Sequence, residues 1–577
     1  MRPIKKSADM SNSNFETEFD AIVVGTGISG GWAAKEITEK GLKTLVLERG
    51  RMVKHIEDYP TMNKDPWDFP HGDNITKEAR ERQPKQSRTG YTTTESRRHF
   101  FVDDIDHPYN EDKQFDWCRG YHVGGRSIMW GRQSYRLSNF DFEANLKDGV
   151  AVDWPIRYEE LAPWYSYVEK HAGISGELLG LPHFPDGEYL KPMELNCVED
   201  HLKASIAEKY NDRVLTIGRT AHITEGTKPG AGRINCQYRN RCMRGCPFGG
   251  YFSSLSSTLP MAEATGNMTL RPNSIVHEVV YDPETKKASG VRIVDAVTKE
   301  TIEFKAKVVF LCASAVASTA ILMQSKSDYF PNGMGNASGE LGHNIMDHHF
   351  QVGAYGEFDG FEDKYFTGRR PNGIYIPRFR NIGGDTDRKD FLRGYGYQGG
   401  GGRGSWTENV KEMAYGPEFK EALLKPGGWT MGLNGFGEVL PYHENRMYLD
   451  YDKLDQWGLP TVTFDADIKE NERAMRKDMQ AQAIQMLEEA GFKNVQGYDN
   501  DYHLGLGIHE MGTARMGRDP KTSVLNGNNQ LHEVPNVFVT DGACMTSAGN
   551  VNPSLTYMAL TARAVNFAVE ELKKNNI

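Results

Sequence analysis

The sequence has 577 residues and lacks any long uninterrupted apolar run. Its longest apolar stretches, such as Val308–Ala313, have the length of a buried strand, whereas a membrane-spanning helix needs about 20 apolar residues. No transmembrane segment is therefore predicted. Residues 1–18 carry Arg2, Lys5 and Lys6, but no apolar segment follows, so we expect a disordered leader and no secretory signal. The chain is expected to be soluble, and either cytoplasmic or periplasmic by co-export with a partner.

An excess of positive charge is also missing. The 68 Lys and Arg residues against 78 Asp and Glu residues give a net charge of −10, which argues against nucleic acid or an anionic membrane as partner.

Cysteines are few, and their odd number of seven in so long a chain excludes a disulfide framework. Internal repeats and low-complexity tails are absent, which excludes repeat architectures.

A nucleotide-binding pattern lies near the N-terminus. The apolar run Ala21–Val24 predicts a buried parallel strand, and Gly25-Thr26-Gly27-Ile28-Ser29-Gly30 follows it directly. Gly25 permits a tight turn, Gly27 lets the backbone approach a pyrophosphate, and Gly30 lets the next helix pack closely on the strand. The N-terminus of that helix would attract the phosphates.

The second half of the same unit supports this interpretation. Thr44–Leu47 predicts a second strand, which ends at Glu48, where a carboxylate suits a ribose diol. The glycine pattern alone is weak, and an ordinary βαβ unit without a nucleotide remains the alternative. The combination of strand, turn, helix, strand and acidic residue favours a dinucleotide site.

A second glycine segment follows a long polar stretch. Residues 51–116 are broken by prolines and are predicted to run over the surface. In the segment Arg119–Gly131, the adjacent glycines Gly124 and Gly125 suit a place where the backbone approaches something flat or bulky. A turn that needs positive φ would explain the glycines but not the residues that flank them.

These motifs together resemble the glucose-methanol-choline (GMC) family of flavin oxidoreductases. The N-terminal fingerprint, Val123–Trp130, and Asp153–Ile156 followed by Glu159–Leu161 carry the resemblance, which covers most of Phe19–Leu572. Within the family, the sequence is most similar to bacterial sugar and gluconate dehydrogenases and to the pyranose oxidase branch. The resemblance implies an α/β fold, α+β overall, with a Rossmann-like FAD-binding domain and a discontinuous substrate domain built on an antiparallel sheet.

The chain is too long for one compact core, so two packed domains are expected. The predicted divisions are a leader (1–18), a first part of the FAD-binding domain (19–135), a substrate or cap segment (136–225), a second FAD-binding part with a cysteine loop at 236–249 (226–345), a substrate-binding domain (346–502) and a third FAD-binding part with the catalytic motifs (503–577). Further predicted strands are 273–280, 289–294, 307–313, 461–464 and 536–542, and further predicted helices are 315–324, 470–490 and 554–569.

The resemblance also implies how FAD is held. Some relatives attach the flavin covalently through a histidine in the second glycine segment, and Met129 stands at that position here, so a non-covalent flavin is expected. The residues predicted to contact FAD are Gly25, Gly27, Ile28, Ser29, Gly30, Glu48, Arg49, Gly124, Gly125, Ser127, Met129, Val276, Ala313, Asp541, Gly542, Asn552 and Pro553.

The catalytic residues are predicted near the C-terminus. Oxidation of an alcohol by a flavin needs a base for the hydroxyl proton, and histidine is best tuned for that role at neutral pH. His509 resembles the family's catalytic histidine in H-x-x-G-T-x-x-M-G, and Asn552 resembles its partner on the substrate oxygen. His503 is the second choice. The adjacent His348 and His349 are interpreted as structural or pocket-lining.

Three cysteines form a further motif. Cys236, Cys242 and Cys246 lie in an arginine-rich loop with the spacing C-x5-C-x3-C, which could hold an iron–sulfur cluster. Zinc would require a fourth ligand, and none is close in the sequence. The spacing resembles that of flavin-dependent glucose dehydrogenases with a three-iron cluster. Three reduced thiols are the alternative.

The substrate and the electron acceptor are inferred from the resemblance alone. A glucose-type pyranoside or glucoside is expected, with the hydroxyl at carbon three among the positions oxidised, and with a dye, quinone or cytochrome as acceptor. A small helper subunit and a haem subunit are the expected partners. A gluconate 2-dehydrogenase-like enzyme and a pyranose or glycoside oxidase that uses dioxygen are alternatives, as are a non-catalytic flavin protein and a nicotinamide-dependent dehydrogenase. Gluconate would require an arginine clamp from among Arg369, Arg370, Arg378 and Arg380.

Overall fold

The computed structural model describes residues 17–90, 92–365, 372–404, 415–424 and 427–577. The predicted leader lies almost entirely outside these residues, as do Arg369 and Arg370. No helix of the described ranges is both long enough and apolar enough to cross a membrane.

Helices and strands alternate in the N-terminal part and give way to a run of strands in the middle of the chain. The α-helices are α1 (Ile28–Glu39), α2 (Lys77–Arg82), α3 (Asn139–Phe142), α4 (Ala144–Asp148), α5 (Tyr158–Ala172), α6 (Cys197–Lys209), α7 (Thr258–Ala264), α8 (Ala315–Gln324), α9 (Pro417–Leu424), α10 (Glu470–Glu489) and α11 (Ser554–Lys573). The strands are β1 (Glu18–Val24), β2 (Thr44–Leu47), β3 (Asn110–Glu111), β4 (Thr216–Ile217), β5 (Met268–Arg271), β6 (Ser274–Asp282), β7 (Lys287–Asp295), β8 (Thr301–Leu311), β9 (Val352–Phe358), β10 (Ile374–Ile376), β11 (Tyr395–Arg403), β12 (Trp429–Gly437), β13 (Arg446–Leu454), β14 (Pro460–Asp465), β15 (Lys493–Asp499) and β16 (Val537–Val539).

The first sheet is a parallel layer in the order β5-β2-β1-β8-β16. Strands β2 and β16 and the C-terminal ends of β1 and β8 are buried on both faces, because side chains alternate across a strand and each face meets a different core, whereas the edge strand β5 is partly exposed. Ala21 and Val23 of β1 pack with residues of α1 and α11, whereas Ile22 and Val24 face the larger core on the other side. An antiparallel meander of β6 and β7 continues the sheet from the N-terminal half of β8.

The second sheet is antiparallel, has six strands, and runs in the order β15-β9-β12-β11-β10-β4. Helix α10 packs across one face through Met475, Met479 and Met486, which share a core with the strands. Glycines in β12 allow this close approach, because a Cβ at Gly435 would lie 2.9 Å from Sδ of Met479. A third sheet, β13-β14-β3, brings the long polar stretch against this half of the molecule.

The predicted fold class is confirmed: a Rossmann-like parallel domain is combined with an antiparallel sheet whose strands come from separate parts of the chain. The predicted strands and helices all have counterparts, with 44–47 and 315–324 matching to the residue. Strand β4, from the predicted cap segment, joins the sheet of the predicted substrate domain. The domain limits themselves remain predictions.

Candidate active site

A cavity of about 260 Å³ lies where the parallel strands end. Its wall includes Val24 at the end of β1, Glu48 after β2, Ala313 after β8 and Asp541 after β16. The carboxyl ends of parallel strands are the usual ligand site of such sheets, because the loops that leave them diverge and expose backbone N–H groups.

The first glycine turn has the backbone that the pattern requires. Gly25 has φ of +98°, and a Cβ there would lie 2.5 Å from the carbonyl oxygen of Cys312. A Cβ at Gly30 would lie only 2.0 Å from the carbonyl oxygen of Gly25, so this glycine lets α1 pack against the turn. A Cβ at Gly27 would meet nothing within 4 Å, and Gly27 lines the cavity. The turn therefore has no room for side chains where it packs against the protein, at Gly25 and Gly30, but it has free space at Gly27, which borders the cavity.

Glu48 lies at the cavity wall and also supports the turn. Its carboxylate accepts hydrogen bonds from the Thr26 hydroxyl, from the Thr26 backbone N–H at 3.2 Å and from the Gly50 N–H at 3.0 Å. Burial raises the pKa of this carboxyl group, and these hydrogen bonds oppose that shift. Thr26 also accepts a hydrogen bond from the N–H of Gly124 at 3.0 Å, so Thr26 joins the two glycine segments.

The second glycine segment packs directly on the first. Gly124 and Gly125 have φ of +91° and +47°, and a Cβ at Gly125 would lie 3.3 Å from Cα of Gly27. Ser127 donates a hydrogen bond to the carbonyl of Gly124 at 2.6 Å and closes a short 3-10 turn. Ser127 and Met129 both line the cavity.

Aromatic rings and charges define one end of the cavity. The guanidinium of Arg49 lies 4.7 Å from the ring centre of Tyr121 and 5.5 Å from that of Trp457, and it pairs with Asp455 at 3.3 Å. Val276 lies at the wall as well. This end combines flat apolar surfaces with a fixed cation, which suits a planar ring system.

His509 and Asn552 lie together at the cavity wall. Nδ2 of Asn552 is 3.4 Å from Nε2 of His509, although the two residues are 43 positions apart. The carboxamide has a defined orientation, because its Oδ1 accepts a hydrogen bond from Nε2 of Gln398 on β11 at 2.6 Å. Burial, together with His348 and Arg126, lowers the pKa of His509 well below its ordinary value, so the imidazole is neutral at neutral pH.

His509 is held from behind by a buried segment. Nδ1 of His348 lies 2.8 Å from Nδ1 of His509, and Nε2 of His348 lies 2.7 Å from the carbonyl oxygen of Gly549. The neighbouring carboxylate of Asp347 accepts the backbone N–H of His509 at 3.0 Å, as well as the N–H groups of His348, Gly505 and Gly507. Burial, followed by repulsion from Glu510, raises the pKa of Asp347 to about 7.

The residue after His509, Glu510, is buried and forms an ion pair with the half-buried Arg126. Glu510 accepts hydrogen bonds from Arg126 at 2.7 Å and 3.1 Å, and both side chains border the cavity. The nearby carboxylate raises the pKa of Arg126 despite its desolvation. The pair joins the second glycine segment to the C-terminal motif.

The C-terminal strand and helix complete the wall. Asp541 accepts hydrogen bonds from Ser318 and from the N–H of Ala543, and burial raises the pKa of this carboxyl group to about 6. Helix α11 begins at Ser554, so its first turn faces the cavity. The hydroxyl of Tyr557 is buried at this wall and has no hydrogen-bond partner among the described residues.

Most of the predicted cofactor residues border this one cavity. The predicted residues at its wall are Gly25, Gly27, Ile28, Ser29, Glu48, Arg49, Gly125, Ser127, Met129, Val276, Ala313, Asp541, Gly542 and Asn552, with His509 beside them. Gly30, Gly124 and Pro553 are not among the residues at the wall. Their assignment as cofactor contacts stays a prediction, as does that of the residues at the wall.

Sequence reasoning interpreted His348 as structural or pocket-lining but did not connect it with His509, and it did not identify Asp347 or Gln398 as part of the site. No linear pattern shows these contacts, because His348 and Gln398 lie 161 and 154 positions from the residues they contact. The second-choice base, His503, lies outside the cavity and pairs with Asp501 at 3.3 Å.

The three cysteines lie beside the cavity but not on it. Cys242 begins a short 3-10 turn whose next residue, Met243, borders the cavity, and Tyr251 donates a hydrogen bond to the carbonyl of Cys242 at 3.1 Å. Burial is the main reason that the pKa of Cys236 rises to about 12, and it also raises the pKa of Cys242. No set of three or more His, Cys, Asp or Glu side chains in the described ranges is arranged to hold a metal ion.

Comparisons with known proteins agree with this architecture. The profile of the family described as GMC oxidoreductase matches residues 19–350 and 441–561. A 2-methyl-1,2-propanediol dehydrogenase from Mycolicibacterium austroafricanum is 27% identical, over 95% of this chain and 94% of that protein. The fructose dehydrogenase large subunit of Gluconobacter japonicus is 24% identical, over 97% of this chain and 100% of that subunit. A solved formate oxidase from Aspergillus oryzae has the same fold, with a TM-score of 0.61 at 14% identity, and the match covers 97% of this chain and 100% of that chain. The predicted resemblance is therefore confirmed: the chain belongs to the GMC oxidoreductase family, whose members are enzymes that oxidise alcohol groups.

Proposed function

We propose that this protein oxidises a hydroxyl group of a sugar or glucoside, with non-covalent FAD as the hydride acceptor and a molecule other than dioxygen as the final electron acceptor. The observation that carries the proposal is the contact between His509 and Asn552 at the wall of a cavity that also borders both glycine turns. A base and a hydrogen-bond donor thus lie close to the place where the cofactor would be held.

Family membership implies FAD, and the cavity suits it. Gly27 leaves open space on the cavity side for a pyrophosphate, and the unpartnered hydroxyl of Tyr557 offers a hydrogen bond to a polar edge. Glu48 and Arg49 would lie at the ribose and adenine end, and Ser127 and Met129 near the flavin. A thioether cannot form the covalent link that some relatives make through histidine. When bound, the flavin supplies a ring nitrogen that accepts hydride from the substrate carbon.

The protein's own groups would handle the proton and the oxygen. His509 is neutral because its pKa is lowered, so its Nε2 can accept the hydroxyl proton. Nδ2 of Asn552 would donate a hydrogen bond to the developing alkoxide, and Gln398 holds that amide in the required orientation. Arg126 is paired with Glu510, and its charge still lowers the pKa of the imidazole, which favours return of the proton after the reaction.

The choice of a sugar rests on the relatives. One is named for fructose and another for a small diol, so a carbon that carries a hydroxyl next to a second oxygenated carbon is common to both names.

A gluconate-type acid has less support as the substrate. Arg380 pairs with Asp478 at 2.8 Å, and Arg378 donates its hydrogen bonds to backbone carbonyls, so two of the four clamp candidates are engaged away from the cavity.

The electron acceptor and the partners remain proposals. The relative named a large subunit supports a partner subunit for this chain. The helper subunit, the haem-bearing partner and a quinone, dye or cytochrome as acceptor are the finer parts of the proposal. A three-iron cluster at Cys236, Cys242 and Cys246 is the finer hypothesis, and three reduced thiols are the alternative. Iron and acid-labile sulfide in anaerobically purified protein would distinguish the two hypotheses, because thiols alone predict background values.

The proposed function is tested by incubating the flavoprotein with glucosides, free sugars, gluconate and small diols plus an artificial acceptor, and by locating the new carbonyl by NMR. Reduction of the acceptor that depends on a sugar is expected, with slow turnover when dioxygen replaces the dye. His509→Ala should lose this activity, and His503→Ala serves as the matched control. Equal activity of parent and His509→Ala with FAD retained would contradict the proposed role of His509.

A further inference from the structure

The contact between His348 and His509 determines which nitrogen of the catalytic imidazole carries its proton. Nδ1 of His348 lies 2.8 Å from Nδ1 of His509, so one of these nitrogens donates and the other accepts. Distance alone does not show which. The second nitrogen of His348 resolves the question.

Nε2 of His348 lies 2.7 Å from the carbonyl oxygen of Gly549. A carbonyl oxygen can only accept, so Nε2 of His348 carries a proton. Burial lowers the pKa of His348 to about 4, which keeps the ring neutral and leaves Nδ1 without a proton. Nδ1 of His348 is therefore the acceptor, and Nδ1 of His509 is the donor. A neutral His509 protonated at Nδ1 has its lone pair on Nε2, the nitrogen that faces Asn552.

We propose that His348 is a positioning residue that holds His509 in the Nδ1-protonated tautomer, so that Nε2 is always the proton acceptor in the reaction. The inference rests on the proposed role of His509 as the base and deepens it. The hydroxyl proton goes to Nε2, while the proton on Nδ1 stays in its hydrogen bond to His348. The other tautomer would direct an N–H at the substrate and could not accept.

Neither of the nearby carboxylates, Asp347 and Glu510, takes the place of His348 as the hydrogen-bond partner of the His509 ring. The carboxylate of Asp347 accepts backbone N–H groups and the Tyr502 hydroxyl, and among the described residues it accepts from neither imidazole. Glu510 is bound to Arg126. The charged and titratable groups around the pair are Asp347, Glu510, Arg126, His349, Tyr502 and Arg476. A neutral ring in place of a carboxylate orients His509 without raising its basicity.

The backbone around His348 is held on both sides. The backbone of His348 forms an isolated antiparallel β-bridge with that of Glu438, and Met346 forms another with Met511, two residues after His509. The N–H of His348 bonds to its neighbour Asp347 at 2.8 Å. The ring is fully buried, so its orientation is fixed by packing as well as by Gly549.

Two substitutions separate hydrogen bonding from packing. In His348→Asn the side-chain oxygen takes the place of Nδ1 and can accept from His509, whereas in His348→Gln the amide takes the place of Nε2 and can reach Gly549 only. We expect His348→Asn to stay within about threefold of the parent, and His348→Gln to lose about 10- to 100-fold in kcat with little change in KM. The acid limb of the pH profile should shift only in His348→Gln.

A second measurement does not depend on turnover. The proton between the two imidazoles should give a low-field N–H resonance in the NMR spectrum of histidine-labelled protein, present in the parent and lost in His348→Gln and His509→Ala. Parental activity in His348→Gln, or equal losses in His348→Asn and His348→Gln with the pH profile unmoved, would overturn the inference. If His509→Ala remained fully active, the proposed function would fail first. An inactive His509→Ala beside a fully active His348→Gln would overturn only the role of His348.

Discussion

The protonation of His509 is set by burial. Desolvation lowers its pKa most, and His348 and Arg126 lower it further. The ordinary histidine pKa is about 6.5, so a lowered value keeps the imidazole neutral through the physiological range. A base that is already neutral needs no deprotonation before the substrate binds.

This predicts the pH dependence of the reaction. In the proposed mechanism the neutral form of His509 is the active one, and it persists above the lowered pKa, so kcat/KM should fall only when the pH drops well below about 6.5. Steady-state rates measured from pH 4 to 9 at constant ionic strength check this. An acid limb near pH 7 would contradict it and would point to Asp347, whose pKa burial raises to about 7.

Among the elements, the turn between β1 and α1 combines two requirements. Gly30 is needed by the protein, because any side chain there would collide with the backbone of Gly25. Gly27 is free of such contacts and faces the cavity. The same short motif therefore contains one residue for folding and one for the ligand.

Alanine substitutions should separate the two roles. Gly30→Ala is expected to lower the free energy of unfolding by about 1 to 3 kcal/mol, because a Cβ would overlap the carbonyl oxygen of Gly25. Gly27→Ala should leave the stability of the apoprotein unchanged and weaken FAD retention. Chemical unfolding of the apoproteins and FAD titration measure these effects, with each variant as the control for the other. Equal stability of the two apoproteins would show that the steric assignment is wrong.

For the whole molecule, the cavity is the place where distant parts of the chain meet. Its wall includes residues from Val24 to Tyr557, and the antiparallel sheet reaches it through the hydrogen bond of Gln398 to Asn552. The bound cofactor would contact segments from both ends of the chain. We therefore expect cofactor binding and global stability to be coupled.

Removal of FAD should lower the thermal stability of the entire protein. A ligand that binds only the folded state at 100 times its Kd stabilises it by about 2.7 kcal/mol. Differential scanning calorimetry of holoprotein, apoprotein and reconstituted protein should show a lower midpoint only for the apoprotein. An identical midpoint in all three would mean that the cofactor does not bind across the assembled cavity.

Much of the fold could be predicted from local patterns. The strand at Thr44–Leu47 and the helix at Ala315–Gln324 are marked by apolar runs and by the residues that end them, and both match the structure. Strand β4 was not predicted, because two residues carry no periodicity and pair only through their partner β10.

The sequence by itself determined the glycine turns, the buried parallel strands and the motifs that contain His509 and Asn552, because backbone conformation and side-chain alternation act over a few residues. Only the tertiary structure decided how the catalytic pair is supported. His348, Gln398 and Gly549 come from separate segments, and the direction of a hydrogen bond between two imidazoles depends on what the far nitrogen contacts. Such contacts are made by packing across the chain, and no local pattern encodes them.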